Sequence, residues 1–141
     1  MSWFLRKRNT SASLNGFLAK YGVENFHAWE MGTRVVPPVA LWPHIIPTLR
    51  FAELLRVEFG PTEVLSGFRA PNHNREVGGA PTSLHLTFNA LDLKPEDGTP
   101  QEWADFLTDL GLNRLGGVGV YATFVHADTR TLMFGRPPWK G

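Results

Sequence analysis

The residues of this chain best suited to chemistry are two histidines and an aspartate: His85, Asp92 and His126. Cysteine is absent, so any metal site must be built from imidazole nitrogen and carboxylate oxygen. Zinc accepts such donors, and a catalytic zinc site uses three protein ligands and leaves one position for water. His85 and Asp92 can meet at one ion if Leu86-Thr87 turns the chain before a strand carries Asp92 back. Phe124-Val125-His126-Ala127-Asp128 would bring the third group from a later strand. Spacing alone leaves the plainer alternative open, that each is a satisfied polar residue in a strand.

Positioning these groups requires a small set of elements. Residues 44–59 carry Ile45, Thr48, Leu49, Ala52, Leu55 and Phe59 on one helical face, with Gly60-Pro61 as the stop. Residues 64–69 read as a strand and 70–82 as a loop rich in Pro, Asn and Gly. Residues 88–93 alternate as a second strand ending near Asp92. Thr99, Pro100 and Glu102 form a capping-box pattern ahead of a helix whose stripe is Trp103, Phe106, Leu107 and Leu110. Residues 117–121 and 124–130 read as two strands joined by a tight turn, and the tail after Gly135 as irregular. Residues 1–16 read as a polar, basic arm, and 17–40 as short helical turns. This order suits an α+β fold: one compact domain over residues 17–141, a small antiparallel sheet flanked by helices.

Composition narrows the function classes. The chain has 141 residues, 43% hydrophobic and 19% charged, which fits one ordinary globular domain. A formal net charge of +1 gives no field that selects nucleic acid or an anionic membrane. No run approaches the roughly 18 apolar residues of a membrane span. The opening residues do not read as a secretory signal, because the basic residues 6–8 follow a very short apolar patch. The expectation is synthesis in the cytoplasm without the general export route, and a monomer.

The stretch Ser66-Gly-Phe-Arg69, followed by Asn74-Arg-Glu-Val-Gly-Gly-Ala80 and Ser83-Leu-His85-x(6)-Asp92, resembles the core of the M15 metallopeptidases. Gly117-Val-Gly-Val-Tyr121 with Phe124-Val-His-Ala-Asp128 is similar to that family's closing segment, and the resemblance covers roughly residues 40–132. It implies the Hedgehog/DD-peptidase fold and a Zn2+ ion held by His85, Asp92 and His126. It also implies hydrolysis of peptidoglycan cross-peptides containing D-amino acids, as a D,D-carboxypeptidase or a peptidoglycan endopeptidase. Acting at the bacterial cell wall, such a protein would suit phage lysis or a virion. The alternative is a non-catalytic M15-like module that binds wall or virion.

Carried over by position, Arg69 would hold a substrate carboxylate or carbonyl, or else pair with Glu76 or Asp97. Ser83 would orient substrate, support the ligand loop, or cap a turn. Two positions depart from the family's pattern. Phe88 stands where Gly is usual, implying a different turn or an aromatic wall against the site. Thr123 stands where many members carry a catalytic Asp or Glu, and a hydroxyl is no general base near neutral pH. Asp128, on the same strand face as His126, is the local substitute as catalytic base; its alternative role is to fix an imidazole tautomer. His27, His44 and His73 read as structural, and Trp29, Trp42, Trp103 and Trp139 as core or groove walls.

Overall fold

A computed structural model describes residues 10–31 and 35–141. Residues 1–9 of the expected arm lie outside the described residues, and its remainder enters a packed helix. Thr10 accepts a hydrogen bond from the Ser13 amide and caps helix α1, Ser11–Lys20, which buries Leu14 and Leu18. The short α2, Ala28–Met31, then brings Met31 into the core.

The expected helix over 44–59 divides into a 3-10 segment, Val39–Ile45, and α3, Ile46–Phe59. Pro47 sits in the first turn of α3, where its missing N–H costs nothing. The expected apolar face is the buried one: Ile45, Thr48, Leu49, Ala52 and Leu55. Strand β1, Thr62–Ser66, ends earlier than the sequence pattern suggested. Within the expected loop, Pro71–Glu76 forms a short helix, α4. Its Asn74 is buried and donates to the Ala80 carbonyl, pinning the glycine-rich turn that follows.

Strand β2 is Ala90–Pro95, two residues later than the alternation implied, because Phe88 belongs to the preceding turn. Helix α5, Pro100–Asp109, begins as expected, with Thr99 accepting from the Glu102 amide. A short α6, Leu112–Leu115, leads to strands β3, Gly117–Val120, and β4, Val125–Asp128. After α7, Arg130–Phe134, the tail expected to be irregular adds strand β5, Trp139–Lys140.

The five strands run in the order β1-β2-β4-β3-β5. All neighbours are antiparallel except β3 and β5, which are parallel. Side chains alternate across the sheet. Leu91 and Leu93 of β2, Val118 of β3, and Val125 and Ala127 of β4 join the hydrophobic core. Helix α3 packs against β2, and α5 against β3 and β4. The other set of side chains, which includes Asp92, His126 and Asp128, therefore faces away from that core. No helix among the described residues is long and apolar enough to cross a membrane.

Candidate metal centre

Asp92 and His126 are direct partners in the β2–β4 register, in a row that continues to Ser66 on β1 and Gly119 on β3. Directly opposed residues share a sheet face, so strand pairing alone sets the carboxylate beside the imidazole. His85 comes from elsewhere, the turn between α4 and β2. The Ser83 hydroxyl accepts from the His85 amide, and the His85 carbonyl accepts from the Arg69 amide. Ser83 thus braces the turn that carries His85 while also lining the adjoining cavity.

The three side chains are buried, and their ligand atoms all lie within 4.8 Å of one another. His85 Nε2 is 3.3 Å from one Asp92 oxygen, and His126 Nδ1 is 3.1 Å from the other. Ligands about 2.1 Å from a tetrahedral ion are separated by about 3.4 Å, so this spacing fits a single small cation. The outer nitrogens fit it as well. His85 Nδ1 lies 2.7 Å from the Gly67 carbonyl, which can only accept, so Nδ1 carries a proton and Nε2 is the nitrogen left for a cation. His126 Nε2 lies 2.7 Å from Asp128 Oδ2, which leaves Nδ1 for a cation. Each imidazole is fixed in orientation by an oxygen on its far side, as metal-ligating histidines usually are.

Asp128 has no exposed surface and no unengaged oxygen. Oδ1 accepts from the amides of Gly117 and Arg130 and from Arg130 Nε, each at 3.0 Å. Oδ2 accepts from His126 Nε2 and Arg130 Nη2, each at 2.7 Å. Burial raises the Asp128 pKa, but hydrogen bonds from His126 and Arg130 outweigh it and hold the carboxyl well below its usual range. Asp92 behaves alike: burial raises it, and His126 and His85 together lower it further than burial lifts it. For His126, burial disfavours the imidazolium, but bonds to Asp128 and Asp92 prevail and raise its pKa.

Two glycines make room for this arrangement. A Cβ on Gly117 would stand 2.6 Å from Asp128 Oδ2, and one on Gly119 would stand 2.8 Å from the Trp139 ring. Gly117-x-Gly119 therefore clears one sheet face at alternate residues, first for the Asp128–Arg130 pair, then for Trp139. The Trp139 ring lies edge-on to His126 at 5.3 Å, and the Arg130 guanidinium stacks over it at 5.2 Å.

The centre opens on a cavity of about 430 Å³, whose wall includes Arg69, Ser83, Tyr121, Arg130, Arg136 and Trp139. Arg69 has three contacts: Nε donates to Ser66, Nη1 to Asn74, and Nη2 reaches Asp92 at 3.5 Å. It braces Asp92 as well as lining the cavity. Thr123 is exposed and outside the cavity wall, and among the described residues the only carboxylate in that wall is Asp92.

Phe88 is not an aromatic wall of the site. It is fully buried in the core, edge-on to Phe68, and holds a left-handed backbone with φ 55°. The turn that glycine would make is kept, at a cost in strain. His44 is structural as expected, its Nδ1 2.9 Å from the Thr87 carbonyl, and His73 sits 3.6 Å from Glu76 on α4. Trp42 and Trp103 are core, Trp29 is exposed, and Trp139 is a cavity wall.

Sequence reasoning passed over a buried polar cluster behind the site. Asn89 donates to the His44 carbonyl and to Thr129 Oγ1, and accepts from the Thr129 amide. Thr48 on α3 donates to the Asn89 carbonyl. This ties the start of β2 to the end of β4, and so Asp92 to His126. Only the polarity of Thr48 on an otherwise apolar helical face hinted at it.

The family model described as Peptidase M15 matches residues 23–128 of the chain. Comparison with curated proteins gave no match.

Proposed function

The chain belongs to the M15 peptidase family, and we propose that it is a zinc-dependent peptidase hydrolysing peptidoglycan cross-peptides that contain D-amino acids. The observation that carries this reading is the meeting of His85, Asp92 and His126, one ligand atom from each within 4.8 Å of the others, beside a cavity. When bound there, zinc supplies Lewis acidity for activating water near neutral pH and for polarising a peptide carbonyl.

The protein's own groups hold and orient. Gly67 and Asp128 fix the two imidazoles from behind. Asp128, with both oxygens engaged and no exposure, is a positioning residue in this reading and not the catalytic base. Arg69 steadies Asp92 and presents its remaining N–H groups for a substrate carbonyl or carboxylate. Trp139 and Arg130 shield one side of His126 from bulk water.

The action belongs at the bacterial cell wall, and a part in phage lysis or in a virion belongs to the same proposal. Purified protein should contain about one zinc per chain, and His85→Ala should lose it. Cell walls should be digested by the protein and spared when a chelator is present. Mass spectrometry of the released fragments would then name the bond. Wall digestion that persists after the metal is fully removed would end this reading.

One observation favours a second reading, a metal-holding module that binds wall without cutting it: among the described residues Asp92 is the only carboxylate in the cavity wall. Zinc-loaded protein that pulls down with cell walls yet releases no fragment would support that alternative.

A further inference from the structure

The cavity wall carries the side chains of Arg69, Arg130 and Arg136, and their charges are not equally engaged. Arg69 faces Asp92 and Arg130 is paired with Asp128. Arg136 has no carboxylate within ion-pair distance among the described residues. Its one side-chain hydrogen bond is from Nη1 to the Thr82 carbonyl at 3.2 Å, which spans the cavity rim from the tail to the turn before His85. A guanidinium has five donors in a planar fork, so four of them are left over.

Its backbone is fixed as well. Gly135 takes a left-handed conformation that ends α7, the Arg136 amide donates to the Arg130 carbonyl, and Pro137-Pro138 follow before Trp139 joins the sheet. The side chain is half-buried, so it is partly ordered before any ligand arrives. An unneutralised guanidinium on a fixed backbone in a cleft that also holds two other guanidiniums, with its only carboxylate turned to the imidazoles, suits an anion. Planar pairing with a carboxylate fits the fork best.

We propose that Arg136 is a substrate-binding residue that takes a free carboxylate of the peptide, separate from any group held at Arg69. This rests on reading the cleft as a cell-wall peptide site. Arg136 lies beyond the segment matched by the family model, so the preference belongs to this chain's own tail.

The test uses zinc-loaded protein and the stem pentapeptide L-Ala-γ-D-Glu-L-Lys-D-Ala-D-Ala, with its two carboxylates amidated in turn. Binding is read as Kd by titration, or as KM where the peptide is cut. Amidating one of the two carboxylates should weaken binding to the wild type about tenfold or more. Arg136→Gln should bind the unmodified peptide as weakly as that and lose the response to that amidation, while R136K recovers part of the affinity. The proposal is overturned if R136Q responds to both amidations as the wild type does, or if the wild type is indifferent to both. Binding that follows the expected pattern with no cleavage and no wall digestion would sink the peptidase reading and leave the role of Arg136 standing.

Discussion

Asp92 and His126 face each other across β2 and β4 with Oδ1 and Nδ1 3.1 Å apart, and the far nitrogen of the same imidazole is held by Asp128 at 2.7 Å. One histidine is thus set between two carboxylates, one at the centre and one behind it. The consequences of that placement can be measured.

Asp128→Asn should separate positioning from base catalysis. The amide cannot pair with Arg130 as the carboxylate does, nor hold His126 with the same strength. Metal affinity should fall about 10–100-fold, the range for losing a group that orients a metal ligand. Stability should fall by about 3–5 kcal/mol, because Arg130 loses its buried partner. Competition with a chelating dye reads the affinity. Activity restored by saturating zinc supports positioning, whereas activity still absent at full occupancy returns Asp128 to the role of base.

Metal binding should release protons and tighten with pH. In the metal-free protein the His126 pKa is raised above 6.5, so the ring keeps its proton to higher pH than a free imidazole. A cation must displace that proton. Affinity should therefore rise with pH through the window above 6.5 and level off once the folded-state pKa is passed. The same shift makes the metal-free fold gain stability from His126 below about 6.5 and lose that contribution as pH rises through the higher folded value. Titration calorimetry in buffers of different ionisation enthalpy would count the protons, and a pH-independent affinity would contradict the raised His126 pKa.

Phe88→Gly tests which effect wins at a strained buried aromatic. Glycine relieves the left-handed backbone, a cost of about 1–3 kcal/mol. It also removes a fully buried ring, and Phe→Ala truncations cost about 3–5 kcal/mol. The net should be destabilisation of up to about 4 kcal/mol in urea unfolding, with zinc still bound. A more stable variant would mean that strain dominates.

Asn89→Ala removes the link between the two ligand strands. It leaves the Thr129 amide and the His44 carbonyl without their partner, so stability should fall by about 2–4 kcal/mol. If the cluster also sets the Asp92–His126 distance, zinc affinity should fall along with stability when both are measured on folded protein. Unchanged affinity would restrict Asn89 to the fold.

Much of this was legible in the residues. The helix stop at Gly60, the Thr99 cap and the apolar face of α3 are local, and local chemistry fixed them where expected. Boundaries moved where a long-range contact outweighed the pattern. Phe88 alternates with its neighbours yet is spent on a left-handed turn, because the core accepts its ring. Trp139 and Lys140 look like a loose tail after two prolines, yet find the free edge of β3 over a glycine face shaped for the indole.

The sequence by itself determined which groups are available: with no thiol in the chain, imidazole and carboxylate must serve, and their ordered motif names His85, Asp92 and His126. It left Asp128 with two roles and Arg136 with none. Only the tertiary structure decided how each is engaged, because whether a carboxylate is free to take a proton, or a guanidinium free to take an anion, depends on what is packed against its oxygens and nitrogens. For Asp128 the partners come from β3, His126 and Arg130; for Arg136 the partner is one carbonyl from a turn 54 residues away.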